Sequence, residues 1–528
     1  MPAVPSGVAD QSPSPRRPDA AGQGGRGRHA RDADTLAEPQ PPIPGPRPVA
    51  GGSLAHPLGS AHRAPWRPRV FPFLLFYALI VAVCGYVYRP DETVQGWILT
   101  IVWSMPAVGI AVGVQGIFLS RLRARQLDRL PLPEPATAET LLVVVPTIGR
   151  DDTYPALARS VRSYVAHLPE WFRGGFRVDI VTEEGCSAGA KIDELAAEDP
   201  RIRVVTVPKR YVTPRGTRFK ARANHYAHEL RRAEGEARDD VWVLHMDDDT
   251  GVGRDTAIAL AQFLQAQRSA KSFRQKHLAQ GILCYPREYA HSRFTWFADA
   301  VRPADDISRF RALTGLGTPL AGLHGELLVI RASVEAEIGW DFGPRCIVED
   351  AQLALHFCRR YPGRSDWFAG RSYGASPATV PDFVRQRARW AQGLLRLSLT
   401  RSVPLKQRAF LAVNVLAWVL SPFQHISIVL LVAWLTGHMN TAPVTASVIL
   451  VWGLNFAYTL WMYWEGLRIN AQASVRGWGM RRWWEPPLVL LGIPVFAMLE
   501  GWGTALGLFR FVFLGRRRTE FTVIAKPA

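Results

Sequence analysis

Cysteine is scarce in this chain. The five present, Cys84, Cys186, Cys284, Cys346 and Cys358, are scattered through 528 residues with no CxxC and no metal-ligand spacing. That excludes a disulfide scaffold and a zinc module, and makes a reducing, cytosol-facing domain the simplest reading. Acidic residues are outnumbered 45 to 63 by Lys and Arg, for a net charge of +18. The basic excess gathers in the N-terminal tail and beside apolar segments, at Arg121, Arg123 and Arg125, at Arg481 and Arg482, and at Arg516, Arg517 and Arg518. Charge placed there reads as topology and headgroup contact. No RNA-binding signature or zinc-finger spacing accompanies it, so nucleic acid is not an expected partner. Residues 1–65 lack aromatic and β-branched runs and are rich in Pro, Gly, Ala, Arg and Asp. Such a composition cannot bury enough apolar surface to offset ordering entropy and predicts a disordered tail. The tail also lacks the charged start, apolar stretch and small-residue cleavage site of a secretory signal.

What the chain does have is length, apolar runs and tryptophan. At 528 residues it exceeds one ordinary soluble domain, and its 18 Trp lie mostly in or beside apolar stretches, as membrane-interface anchors do. Within 66–120, the runs 71–88 and 97–119 are long enough to span a bilayer and are separated by the polar turn RPDETVQ. Arg63, Arg67 and Arg69 precede the pair and Arg121, Arg123 and Arg125 follow it, which predicts a helical hairpin with both flanks inside. Three more apolar segments, 409–436, 444–464 and 486–513, fall within 406–515. The loop GHMNTAP between the first two is uncharged, whereas the next loop holds Arg468, Arg476, Arg481 and Arg482. Glu500 and the glycines around it allow the last segment to be re-entrant or broken, returning the basic tail 516–528 to the cytoplasm. The expectation is a multi-pass protein of the cell (plasma) membrane in contact with its lipids, with residues 121–405 facing the cytoplasm.

Between about 138 and 400, short apolar strands alternate with amphipathic helices. LLVVVPT, FRVDIVTEE, IRVVTVP and VWVLHMDDD read as strands, and the stretches after Tyr154, Lys220 and Arg254 as helices. The alternation predicts an α/β domain with a mostly parallel sheet and ligands at the carboxyl ends of its strands.

Three strings within it could do chemistry. VWVLHM runs directly into Asp247, Asp248 and Asp249. Alternate residues of an extended segment share a side, so Asp247 and Asp249 are expected to face one pocket while Asp248 turns away or meets the nucleotide sugar. Magnesium or manganese suits such a pair, because Mg²⁺ binds through one or two carboxylates plus substrate phosphates. A solvated acidic turn is the plain alternative, and His245 reads as a packed strand residue. Upstream, Lys220, Arg222 and Asn224 stand near a helix start, where cations and free amides favour phosphate. Glu349 and Asp350 precede an apolar-periodic helix and are ordinary helix-start residues. In the sharper reading Asp350 is a general base for an acceptor hydroxyl. Gln386, Arg389 and Trp390, if helical, lie on one face. The Arg suits a diphosphate and the indole a sugar ring, although an interfacial basic-aromatic helix accounts for the string too.

In this order and spacing the three strings resemble the membrane-bound family 2 glycosyltransferases, which include cellulose, chitin and hyaluronan synthases. GTRFKARANHYA, LHMDDDT, LHGELLVIR and SPATVPDFVRQRARWAQG look most like the Egghead-type β-1,4-mannosyltransferases and their bacterial relatives. The resemblance covers about 138–400. It implies a GT-A, Rossmann-like catalytic domain flanked by transmembrane helices, an inverting reaction and a nucleotide-diphosphate sugar donor, GDP-mannose or a UDP-hexose. It also implies roles: Asp247 and Asp249 on metal and diphosphate, Asp350 as base, and Gln386, Arg389 and Trp390 with Glu349 as the acceptor lip. Thr147, Glu183, Lys220 and Asp248 fall beside the nucleotide. Many members have Asp at the end of the second strand where this chain offers Glu183 and Glu184, which leaves open which of the two meets the nucleotide. The expected activity is hexosyl transfer to a lipid-linked or polysaccharide acceptor. The alternative from another class is a catalytically silent membrane scaffold or polysaccharide-binding protein, against which the intact Asp247, Asp249 and Asp350 weigh.

Overall fold

The computed structural model describes residues 67–87, 106–127, 129–419, 448–474 and 482–513, with a few single positions between these segments. The tail 1–65, the turn RPDETVQ apart from Val94, most of the loop GHMNTAP and the basic stretch 516–528 lie outside the described residues, as do most of 97–105 and of 420–436.

Eight strands form one sheet: β1 Thr140–Pro146, β2 Phe176–Glu183, β3 Ile202–Val207, β4 Val241–His245, β5 Gly251–Val252, β6 Leu278–Cys284, β7 Leu328–Arg331 and β8 Ser365–Tyr373. Their order is β3-β2-β1-β4-β7-β6-β8-β5. The first four are parallel, and β6 pairs parallel with β8. β7 runs antiparallel to both its neighbours, and β5 to β8. The α/β reading is the observed one, and all four strands read from sequence form. β1 is buried along its whole length, which is why it reads as a continuous apolar run rather than an alternating one. The four residues of β7 gave no such signal. Because β1 has β2 on one side and β4 on the other, the chain reverses its strand order there and opens a crevice outside the carboxyl ends of these three strands.

Helices cover the sheet. α1 is Val70–Val87, α2 Ala107–Leu127, α3 Tyr154–His167, α4 Gly189–Ala197, α5 Phe219–Ala233 and α6 Arg254–Ser269. Leu157, Val161 and Tyr164 of α3 and Ala257, Leu260, Ala261 and Leu264 of α6 join the sheet's apolar core, steps of three and four residues placing them on one face of each helix. Three short helices, α7 Arg293–Ala298, α8 Val301–Asp305 and α9 Arg311–Gly315, follow β6, the last two joined by a π-helical turn at Asp306–Phe310. After β7 come α10 Ala332–Ile338 and α11 Glu349–Arg360; after β8 come α12 Val380–Ser398, α13 Leu405–Val419, α14 Val448–Gln472 and α15 Glu485–Phe513.

α2 and α15 are each long and apolar enough to cross a membrane, and α1 is a shorter apolar helix. The basic flanks of α1 and α2 meet: Arg121 donates to the Pro68 carbonyl at 3.0 Å. At the same level Arg468 of α14 donates to the Arg67 carbonyl at 2.9 Å, and Glu465 accepts from the Arg69 amide at 3.0 Å. The basic residues before α1 and after the apolar part of α2 thus lie at one level. Gly116 of α2 and Gly466 of α14 lie so close to the backbone of Ser308 and of Ala300 that a β-carbon would collide, which lets these helices seat directly on the π-turn and on the start of α8.

α15 is one unbroken helix of 29 residues, with Pro494 inside it. The glycines that suggested a break serve contact instead: a β-carbon on Gly503 would stand 2.5 Å from Arg387 Cβ, and one on Gly507 2.6 Å from the Ala388 carbonyl. Glu500 accepts from Arg387 Nε at 2.8 Å and from Trp418 Nε1 at 2.9 Å. Its charge in an apolar helix is thus matched by α12.

Candidate functional site

The crevice at β1, β2 and β4 deepens into a cavity of about 1230 Å³. Thr147, Glu183, Lys220, Asp247, Asp248, Asp249, Glu349, Asp350, Gln386, Arg389 and Trp390 all line it. These eleven residues, given site roles from sequence, are therefore brought to one place, although they span more than 240 positions of the chain.

At the strand ends, Thr147 Oγ1 donates to Asp248 Oδ2 at 2.8 Å, which ties the end of β1 to the acidic turn after β4. Glu183 is gripped by Arg222, whose Nη1 lies 2.6 Å from both carboxylate oxygens. Arg222 also donates to the Tyr211 and Pro208 carbonyls, and Asn224 is buried. Of the three polar residues at the start of α5, only Lys220 thus points into the cavity without such a clamp. Glu184 turns away and accepts from the Lys209 amide at 2.9 Å, so Glu183 is the member of the pair that faces the cavity.

Lys220 organises the acidic groups. It forms an ion pair with Asp247 and lies 3.8 Å from Glu349. Burial by itself would lower its pKa, but Asp247, Glu349 and Asp350 outweigh that and hold the ammonium above the ordinary lysine value. Gly325 makes this convergence compatible with the backbone: a β-carbon there would collide with Lys220 Nζ and stand 3.4 Å from Asp247 Oδ1 and 3.5 Å from Asp350 Oδ2. Glu349 and Asp350 open α11 after Val348, and no side chain caps the helix. Burial, then the neighbouring Glu349, push Asp350 up to about 6, against the pull of Lys220. A carboxyl tuned to that range is ionised near neutrality yet basic enough to accept a proton. His245, read as a packed strand residue, is one: its Nε2 pairs with Glu335 at 2.8 Å in the buried interior.

Asp247, Asp248 and Asp249 do not form a protein cage for a metal; among the described residues, no group of three or more His, Cys, Asp or Glu gathers in that way. Two carboxylates at the mouth of a crevice nevertheless fit a cation that takes its remaining ligands from phosphate and water, as Mg²⁺ does.

On the opposite wall, Arg302 of α8 and Arg387 of α12 each stand 4.7 Å from the Trp390 ring centroid. Arg387 pairs with buried Asp299 and with Glu500, and donates to Gln386. The indole is thus a shelf under two guanidinium groups, and the lip is braced by Arg387, which sequence reasoning passed over.

Glu326 and His324 also escaped attention, although the interruption H-G-E ahead of the apolar β7 was a signal. His324 Nε2 pairs with Asp306 at 2.6 Å; burial would lower its pKa, but Asp306 raises it. Glu326 is pushed up to about 8 by burial and then by Asp247. Backbone strain marks the same neighbourhood: Phe219, beside Lys220, and Leu327, beside Glu326, adopt φ of 59° and 52°. A bulky residue in that region costs about 1–3 kcal/mol and persists where surrounding contacts enforce it.

Residues 242–464 match the family described as Glycosyl transferase family group 2. The match begins in β4 and takes in the acidic turn, Glu326, Asp350 and the Trp390 helix. The chain is similar to beta-1,4-mannosyltransferase egh of Drosophila melanogaster, 28% identical over 258 residues, which cover 48% of this chain and 52% of that protein. It is also similar to beta-1,4-mannosyltransferase bre-3 of Caenorhabditis briggsae, 25% identical over 339 residues, covering 62% of this chain and 68% of that one. The chain therefore spans about half the length of the fly relative. Among solved structures, mannosyltransferase PcManGT from Pyrobaculum calidifontis, in complex with GDP-Man and Mn²⁺, is 14% identical with a TM-score of 0.40, covering 78% of this chain and 99% of that one.

Proposed function

We propose that this family 2 glycosyltransferase domain works as an integral-membrane, inverting hexosyltransferase that takes its sugar from a nucleotide diphosphate, mannose from GDP-mannose being the first donor to test and a UDP-hexose the next. The carrying observation is the shared cavity: the diphosphate end at Lys220 and Asp247, the base Asp350 and the Trp390 lip all open into it. The nucleotide lies against Thr147, Glu183 and Asp248. Asp247 and Asp249 would hold Mg²⁺ or Mn²⁺, which when bound would supply charge neutralisation for the departing diphosphate. Lys220 adds a second cation at the same end, and Arg389 one from the lip side.

Asp350 accepts the proton of the acceptor hydroxyl as its oxygen bonds to the anomeric carbon. The bond from that carbon to the diphosphate oxygen breaks on the opposite face, so the configuration inverts. No protein acid is needed for the leaving group, because the diphosphate departs as an anion.

The cavity continues past the lip between Val112 of α2, Phe410 and Val413 of α13, and Tyr458 and Met462 of α14. A hydrocarbon chain fits such a lining and a polysaccharide does not, which favours a lipid-linked acceptor. The outer face of α15 exposes Leu491 by 80% and Trp502 by 68%, a surface suited to lipid. The level basic ends of α1, α2 and α14 support a catalytic domain on the cytoplasmic side, by the positive-inside tendency.

The test is to purify the chain in detergent and follow nucleotide diphosphate release with a panel of donors, lipid-linked acceptors and either metal. Turnover of one donor that depends on both metal and acceptor supports the reading. Turnover of none removes it.

A further inference from the structure

Among the charged groups that line the cavity and that the proposed chemistry leaves unused, Glu326 and Arg302 lack a side-chain hydrogen bond or ion pair among the described residues. Glu326 is 8% exposed and lines the cavity. Its carboxyl makes no hydrogen bond or ion pair among the described residues, although its backbone carbonyl accepts from Gln280 at 2.7 Å. Arg302 faces the same space. Its guanidinium lies over Trp390, makes no side-chain hydrogen bond among the described residues, and has a buried Nε without partner.

A buried carboxyl and a buried guanidinium lining one cavity normally find partners, since leaving either unsatisfied is costly. Here they feel each other's charge but form no ion pair. Each is held back by its own framework. Glu326 stands between Gly325, pinned against Lys220 and Asp247, and Leu327 in its strained backbone conformation. Arg302 is kept flat on the indole of Trp390. Glu326 follows Gly325, which sits beside the base Asp350, and Arg302 lies over Trp390 of the lip.

We propose that Glu326 and Arg302 form a subsite that grips hydroxyl groups of the acceptor's terminal sugar and selects which sugar is accepted. Sugar hydroxyls suit both groups, because a hydroxyl can donate to a carboxyl oxygen and accept from a guanidinium. Both bonds are desolvated and the one from Arg302 is charge-assisted, so a sugar lacking that hydroxyl, or presenting it in the other configuration, leaves two buried polar groups unmet. The aromatic shelf under Arg302 fixes the geometry. This proposal rests on the transferase reading of the same cavity and adds to it where the acceptor, rather than the donor, is read.

The experiment uses the full chain in detergent with octyl glycosides of glucose, galactose, mannose and N-acetylglucosamine as acceptors, followed by the monodeoxy forms of the best of them. Glu326→Ala is expected to raise acceptor KM about ten- to a hundredfold while donor KM moves less than about twofold. Glu326→Gln, which keeps the shape and one hydrogen-bonding oxygen, is expected to recover part of the loss, and Arg302→Met to show the same split. With the parent chain, one deoxy acceptor should be used about tenfold less well than its hydroxylated form, and Glu326→Ala should use the two equally. Unchanged acceptor discrimination in Glu326→Ala, or a donor KM that rises in step with acceptor KM, overturns the subsite while leaving the transferase reading intact. Absence of turnover by the parent chain with every donor removes both.

Discussion

Replacing Lys220 by Met removes the cation wedged among Asp247, Glu349 and Asp350 while keeping most of the side-chain volume. Asp350 and Lys220 both flank the point where a Gly325 β-carbon would stand, so their charges are at most about 6 Å apart. At an effective dielectric of about 20, unit charges at that distance interact by about 3 kcal/mol, equivalent to about 2 pKa units. Water in the cavity weakens this, leaving an expected rise of about one to two units. Asp350 stands at about 6 with Lys220 in place. The base acts only when ionised, so activity is lost as pH falls through its pKa, and a raised pKa carries that acid limb upward. In Lys220→Met the limb of kcat/KM is therefore expected near pH 7 to 8, roughly the parent value plus the shift. The assay is initial-rate nucleotide release across the pH range at fixed metal concentration. Loss of a diphosphate contact lowers the whole profile without moving its limb, so position and height report separate effects. An acid limb that stays within about 0.3 pH of the parent's refutes the electrostatic coupling of Lys220 to Asp350.

Asp350→Asn is expected to reduce turnover by about a hundredfold or more while equilibrium binding of the donor nucleotide is retained; unaltered turnover removes the base assignment. Arg387→Met leaves the carboxylate of buried Asp299 without its partner, and is expected to cost about 3–5 kcal/mol, read as a fall in Tm in detergent that Asp299→Asn partly restores. Gly503→Leu drives a side chain into Arg387 Cβ. It is expected to destabilise by about 1–3 kcal/mol and to lower turnover by displacing the lip; a wild-type Tm and rate would show that α12 and α15 do not pack as described.

Much of the domain was legible because its strands carry clear local patterns: β1, buried along its whole length, reads as an unbroken apolar run, and β2 as an alternation of apolar and polar residues. β7 was not, since a four-residue strand carries too little pattern to stand out. The charged motifs were legible as strings but not as partnerships. Arg222 looked like a phosphate ligand on a helix start, yet it clamps Glu183. Trp390 looked like an open sugar platform, yet Arg302 and Arg387 lie over it. The glycines near Glu500 suggested a broken helix, and they turned out to be the notch into which α12 fits. In each case the partner lies far away in sequence, where periodicity and spacing carry no information.

The sequence by itself determined which chemical groups the chain brings to its strand ends and helix starts, because hydrophobic period and charge sign are local properties. It also determined that apolar helices flank an α/β domain. Only the tertiary structure decided which carboxylates share a cation, which arginine braces the lip and which buried charges are left facing the cavity. Those outcomes depend on distances between segments tens to more than a hundred residues apart, where a difference of a few ångströms decides whether two charges pair or stay apart.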